Sequence, residues 1–278
     1  MHHKLKALVT GARTGIGLEL TKKLLLEGWQ VVALIRSPFK EDDELIQRAL
    51  KAKSLVVYLT DLGDFKVLAG TLKKLRDQEP YLDVIFNNAG SMSGSLSYSA
   101  QGREIDFEIN TVVPYIVAKE LEELLLKGKL RTIVNTSSEA ALMAKDFKPE
   151  QLEKPTVFKK LFGVYASSKL ALSLWTNEFA QNIKNDIKIR SVDPGPAKTD
   201  MSKGRGMPWF ILLLRPLLFP HPSKGAKNVY DAAFGEFKNE NGVFVSRGKI
   251  KPLKNIDKGL IVLSKVDRIY QKEILGDR

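Results

Sequence analysis

Thr10-Gly11-Ala12-Arg13-Thr14-Gly15-Ile16-Gly17 stands between an apolar run at residues 5–10 and an amphipathic stretch at 15–27. Glycine turns tightly and lets a backbone approach a bulky anion, and a helix N-terminus meets that anion with free N–H groups. A strand before and a helix after are the context this reading requires. The same alternation continues outward. Residues 30–35, 55–59, 83–86, 131–135, 187–192 and 242–245 read as strands. Between or beyond them, 42–51, 65–77, 103–126, 165–182 and 224–237 read as helices, with a last one near the end. Most of the strands are continuous apolar runs rather than alternating ones, which is the signature of parallel strands buried on both faces. The expectation is an α/β doubly wound parallel sheet in one domain spanning residues 1–278, without repeats or linkers.

Composition narrows the chemistry. With no cysteine among 278 residues there is no disulfide, thiolate metal site or thiol nucleophile. His2 and His3 read as a disordered terminus, so no metal is expected, and His221, between two prolines, reads as a loop residue. The first apolar run is too short for a secretory segment, and the longest one, 207–219, is interrupted by Pro208, Arg215 and Pro216 and too short to span a bilayer. A cytoplasmic protein is expected, with peripheral contact at a membrane as the variant. The net charge of +12 is spread along the chain without Arg-rich runs or interleaved aromatics, so nucleic acid is not the expected partner.

A glycine turn in this context reads as the cradle of a nicotinamide dinucleotide's pyrophosphate, and the dinucleotide type turns on the end of the second strand. An acidic residue there would bind a ribose hydroxyl and repel a 2′-phosphate. The chain has Arg36 and Ser37, with no acid until Glu41. A guanidinium fork suits a phosphate dianion, and Arg13 in the glycine turn offers a second cation. The implied cofactor is NADP(H), cradled by Gly11, Arg13, Thr14, Gly15, Ile16 and Gly17; the plain alternative for Arg36 is a solvated strand end. Asp61-Leu62 closes the third strand, where the carboxylate either accepts from an adenine amino group or caps the next helix. Asn87-Asn88-Ala89-Gly90 closes the fourth, its small residues admitting a flat ring.

Tyr165 and Lys169 are four apart in a helical pattern, hence one turn apart on one face. An ammonium beside a phenol favours phenolate and is expected to lower its pKa toward the range of an acid/base group. Together these motifs resemble the short-chain dehydrogenase/reductase family over about residues 5–199, in its retinol dehydrogenase and carbonyl reductase branch. The resemblance implies a Rossmann fold and a catalytic set of Asn110, Ser138, Tyr165 and Lys169, with Ser137 as the alternative serine. It also implies that Asn88, Ala89, Gly90, Pro194, Gly195 and Thr199 contact the cofactor, the Thr199 hydroxyl at the nicotinamide carboxamide, and that Lys169 holds its ribose. Pro114 has no N–H for the carbonyl of Asn110. Under the resemblance that carbonyl holds a water that relays protons from Lys169; otherwise Pro114 merely kinks a buried helix. Leu172, Trp175 and Phe179 read as core.

The 27-residue interval from Ser138 to Tyr165 is longer than in many members. It contains a substrate-side insert near 141–163, and a second variable segment near 200–222 falls where the family carries a lid. Its Trp209–Leu214 stretch is strongly apolar and flanked by Lys203, Arg205 and Arg215. Such a patch is covered by a lipophilic substrate, a subunit or a membrane. The expected activity is NADP(H)-dependent interconversion of a carbonyl and an alcohol on a fairly apolar small molecule. Its rivals are a dinucleotide-binding redox sensor or scaffold, and a lipid oxidoreductase working at a membrane surface. A homodimer or tetramer through the long central helices is the expected assembly.

Overall fold

The computed structural model describes residues 4–183, 186–200, 202, 207 and 219–276. Seven parallel strands form one sheet: β1 (Lys6–Thr10), β2 (Gln30–Ile35), β3 (Leu55–Leu59), β4 (Val84–Asn87), β5 (Thr132–Thr136), β6 (Lys188–Val192) and β7 (Phe244–Ser246). A short antiparallel strand, β8 (Lys249–Ile250), adds to β7 and was not foreseen from sequence. The order is β3-β2-β1-β4-β5-β6-β7-β8. Every residue of β1, β4 and β5 is buried, as continuous apolar strands require. The edge strand β3 instead leaves Val56 and Leu59 in water.

Helices cover both faces. α1 (Gly15–Leu26), α2 (Glu44–Lys51) and α8 (Pro222–Phe234) pack over one core, which joins Leu20, Leu24, Val31, Ala33, Val134 and Val229. α3 (Phe65–Gln78), α5 (Val113–Glu120), α7 (Val164–Asn182) and α9 (Gly259–Tyr270) enclose the larger core on the other side. The helical region near 103–126 is not continuous. A single turn, α4 (Ile105–Phe107), widens into a π-helical turn at Glu108–Val112 before α5, and α6 (Glu122–Leu126) follows. In that wide turn Val113 N–H bonds to Glu108 O, five residues back, immediately before Pro114, which cannot donate at all.

α9 lies across α7 and α5, the helices through which self-association was expected. Tyr115, Trp175, Phe179 and Tyr270 meet edge to face there, with centroids 5.5–6.0 Å apart. Tyr115 donates to Asp267 at 2.7 Å and Tyr270 to Glu120 at 2.8 Å. The insert is fastened to the same helix region: Lys258 Nζ donates to Phe147 O at 2.6 Å, and Lys265 pairs with Glu153. Leu172 and Trp175 are core, as read from sequence. Most of the 200–222 segment, with Trp209–Leu214 and its flanking cations, lies outside the described residues, as do His2 and His3. His221 caps the start of α8 through Ser223. No helix among the described residues is long and apolar enough to cross a membrane.

Candidate active site

Strand order reverses between β1 and β4: the chain winds outward through β2 and β3 on one side, then through β5 and β6 on the other. The connections leaving the carboxyl ends of such strands part at that point and leave a crevice. A cleft of about 900 Å³ opens there.

One end is the glycine turn. Gly11 and Gly15 hold φ of +66° and +57°, conformations that side chains resist. A Cβ on Gly17 would stand 2.2 Å from Gly11 O and 2.5 Å from Asn88 Nδ2, so only glycine lets α1 start this close to β4. Thr14, at the N-cap of α1, makes no side-chain cap bond, and the first turn holds no acid. The helix therefore turns uncompensated N–H groups toward the cleft. Thr10 ties β1 to the end of β4: its Oγ1 accepts from the N–H groups of Asn88 (3.0 Å) and Ala89 (2.9 Å), and its carbonyl from Asn88 Nδ2 (3.1 Å).

Arg36 lies exposed at the end of β2 and lines the cleft with Ser37, Asp61 and Leu62. Arg13 Nε donates to Pro38 O at 2.6 Å, which pins that guanidinium beside the Arg36 segment. Asp61 is a turn residue whose Oδ1 accepts from Gly63 N at 2.9 Å; α3 is capped instead by Asp64, which accepts from Val67 N. Two buried hydroxyls in the cleft wall, Thr60 Oγ1 and Thr136 Oγ1, have no hydrogen-bond partner among the described residues. A glycine cradle, an uncapped helix start and two unsatisfied hydroxyls fit an extended, phosphate-bearing dinucleotide.

At the other end Tyr165 and Lys169 enter the cleft from the first turns of α7, and Thr199 and Pro194 face them. Thr199 Cγ2 would lie 2.9 Å from a Cβ at Gly15, so the two ends share a wall. Gly195 does not line the cleft; with φ +77° it turns the chain behind Pro194. Ser138 hydrogen-bonds to the phenol of Tyr165, while Ser137 Oγ is spent on Lys169 O at 3.0 Å and Ser173 at 2.8 Å. Of the two serines, Ser138 is the one bonded to the phenol, while Ser137 is the one that lines the cleft.

Lys169 Nζ donates to Thr136 O at 2.8 Å and sits 6.0 Å from the Tyr165 ring centroid. Burial lowers its pKa to about 8, opposed by the charge of Asp106. Burial also pushes the Tyr165 phenol above its ordinary value; the Ser138 bond opposes this, while Asp193 and Asp106 add to it. The expectation that Lys169 depresses the phenol is therefore not met. Its ammonium is engaged by a backbone carbonyl, and removal from water outweighs its attraction.

Asn110 is fully buried and does not reach the cleft. Its amide brackets Ser91, accepting from Ser91 N and donating to Ser91 O, both at 2.8 Å, and donates to Ser168 Oγ at 2.9 Å. One turn earlier, Asp106 accepts from Ser93 N and, at 2.9 Å, from Ser93 Oγ. Asp106 and Asn110 thus stitch residues 91–93, the loop after Asn87-Asn88-Ala89-Gly90, onto the face of α7. Sequence reasoning missed Asp106, Ser91, Thr60 and Thr136. The four-residue spacing of Asp106 and Asn110 was a visible signal; the hydroxyls had none.

Residues 5–150 match the family model described as short chain dehydrogenase. The chain belongs to the short-chain dehydrogenase family. Tyr165 and Lys169 lie beyond that match, but curated relatives extend further. Human "Retinol dehydrogenase 11" is 30% identical over 235 residues, 82% of this chain and 72% of the relative. "Short-chain dehydrogenase/reductase drtF" of Aspergillus calidoustus is 27% identical over 83% of this chain and 80% of its own. Among solved structures, "NADPH bound carbonyl reductase from chicken fatty liver" superposes with a TM-score of 0.68 at 22% identity, covering 90% of this chain and 95% of that one. "4-hydroxyisoleucine dehydrogenase complexed with NADH" gives 0.67 at 20%, covering 87% and 96%. These two shared folds, one named with NADPH and one with NADH, agree with the doubly wound sheet.

Proposed function

We propose that the protein is an NADP(H)-dependent oxidoreductase interconverting a carbonyl and an alcohol on a fairly apolar molecule, the whole chain acting as one catalytic unit with Tyr165 as acid/base. The observation that carries this reading is the meeting of Tyr165 and Lys169 at one end of a cleft whose other end is the glycine turn, with Ser138 hydrogen-bonded to the Tyr165 phenol. The bound nicotinamide supplies or accepts the hydride. In reduction, Ser138 donates to the carbonyl oxygen, where negative charge develops, and Tyr165 delivers its phenolic proton to that oxygen. A phenol held above its ordinary pKa is fully protonated at neutral pH, which suits a proton donor. Lys169 holds the ribose, Asn110 and Asp106 hold the loop that floors the site, and Thr199 holds the carboxamide end. The carbonyl of Asn110, without a donor from Pro114, would hold a water that links Lys169 to solvent as a proton relay.

Arg36 and Arg13 favour the 2′-phosphate of NADPH over the free hydroxyl of NADH. The retinol dehydrogenase relatives support an apolar substrate; the location that goes with this reading is cytoplasmic or membrane-peripheral. Turnover of a panel of aldehydes and ketones with NADPH tests the whole reading, with Tyr165→Phe as its control. Tight NADPH binding without turnover of any substrate by the native protein would favour a redox sensor instead.

A further inference from the structure

We propose that the insert between Ser138 and Tyr165 forms a second binding site, for a single-chain anionic amphiphile: an apolar tail with a carboxylate or phosphate head. The insert closes a cavity of about 870 Å³, nearly the size of the cofactor cleft and sharing no lining residue with it. Phe107, Leu152 and Val164 make a buried apolar floor. Met143, Val157 and Phe162 line the same cavity with 50%, 65% and 42% of their surface in water. Large apolar side chains converging on one hollow lose free energy to solvent until something apolar covers them.

Charge says what the cover carries. Lys145, Lys148, Lys159 and Lys254 line this cavity against a single acid, Asp146. None of the four ammonium groups makes a hydrogen bond or ion pair among the described residues. Their neighbours differ: Lys258 is engaged by Phe147 O and Lys265 by Glu153. Four unpaired cations over a low-dielectric floor raise a positive potential that an anion relieves. A free anion would leave the apolar side chains in water, and a neutral lipid would leave the lysines uncompensated; an anionic amphiphile satisfies both. The wall also includes the first turn of α7, so the occupant touches the helix that carries Tyr165 without entering its cleft. The site does not depend on the activity proposed above.

Titration calorimetry on the full chain saturated with NADPH tests it, with laurate, dodecyl phosphate, dodecanol and inorganic phosphate as probes below any micelle concentration. Laurate or dodecyl phosphate is expected to bind one molecule per chain, and whichever is tighter identifies the head group. Dodecanol and inorganic phosphate should each bind at least about tenfold more weakly. The double variant Lys148→Glu/Lys159→Glu should weaken laurate or dodecyl phosphate by about tenfold or more, and Val157→Asp by a similar factor. These exposed positions leave folding and NADPH binding unchanged, checked by thermal melts and cofactor titration. Failure of both anionic amphiphiles to bind, displacement by NADPH, or binding indifferent to lysine reversal would overturn the proposal. Equal affinity for inorganic and dodecyl phosphate would also overturn it, since the apolar half would then contribute nothing.

Discussion

Burial moves the Tyr165 phenol above and the Lys169 ammonium below their ordinary values, so each favours its neutral form. For Lys169 the consequence is a usable pH window. The charged form dominates below about pH 8 and is lost as pH rises through that value. Reductase kcat/KM is therefore expected to fall with single-proton slope above about pH 8, and Lys169→Arg to move that limb to higher pH. Tyr165→Phe removes the proton donor without changing the shape of the cleft. Turnover should drop by roughly 10²–10⁴-fold while the NADPH dissociation constant stays within about twofold. Arg36→Asp places a carboxylate where a phosphate is expected. KM for NADPH should rise by about tenfold to a hundredfold, with KM for NADH unchanged or lower; an unchanged NADPH/NADH ratio would remove Arg36 from cofactor selection. These residues were readable because each belongs to a short local pattern. Lys169's engagement with Thr136 O depends on β5 and α7 meeting, which no spacing announces.

At the scale of elements, the segment from Glu104 through α5 concentrates what the linear pattern did not show. Glu104 caps α4 by accepting from Phe107 N at 2.7 Å, yet burial and the nearby charge of Asp106 raise its pKa to about 7. A raised carboxyl binds its proton more tightly folded than unfolded, so folded chains hold more protons between about pH 4.5 and 7. Stability should then decline as pH rises through that window and level off above it. Glu104→Gln keeps the cap acceptor without the charge. It should flatten the decline and raise stability at pH 8 by about 1–3 kcal/mol, seen as a higher melting temperature than the parent at pH 8 but not at pH 4.5. Strand and helix positions were legible to within a few residues because apolar periodicity is local. The π turn before Pro114 and the added strand β8 were not, since both arise from partners elsewhere in the fold. Arg190 is the sharpest case: an arginine in a buried strand, its guanidinium satisfied by the carbonyls of Ala232 in the last turn of α8 and of Lys238 and Glu240 beyond it.

At the scale of the whole molecule, α9 decides how the chain presents itself to other copies. Its residues Val262, Val266, Ile269 and Tyr270 and the following Ile274 are buried over α5 and α7. A side chain of that kind contributes about 1.5–3 kcal/mol on burial, so together they rival the net stability of an ordinary domain. The central-helix dimer or tetramer expected from sequence would need that same surface. Light scattering on the purified chain should find no association through it: charge reversal on the outer face of α9, such as Ile261→Glu, is expected to leave the mass unchanged. Ending the chain before Gly259 should abolish cooperative melting, or leave a species that self-associates through the uncovered aromatic surface. The fold class, the cleft and most of its candidate lining were visible in the sequence as ordered local motifs; the cover over α7 was not, because it comes from residues far later in the chain. That late cover has a consequence during synthesis. The ribosome must release the chain through α9 before the helix bearing Tyr165 can be sealed, so newly made chains pass through an interval in which a holdase chaperone would find the aromatic cluster open.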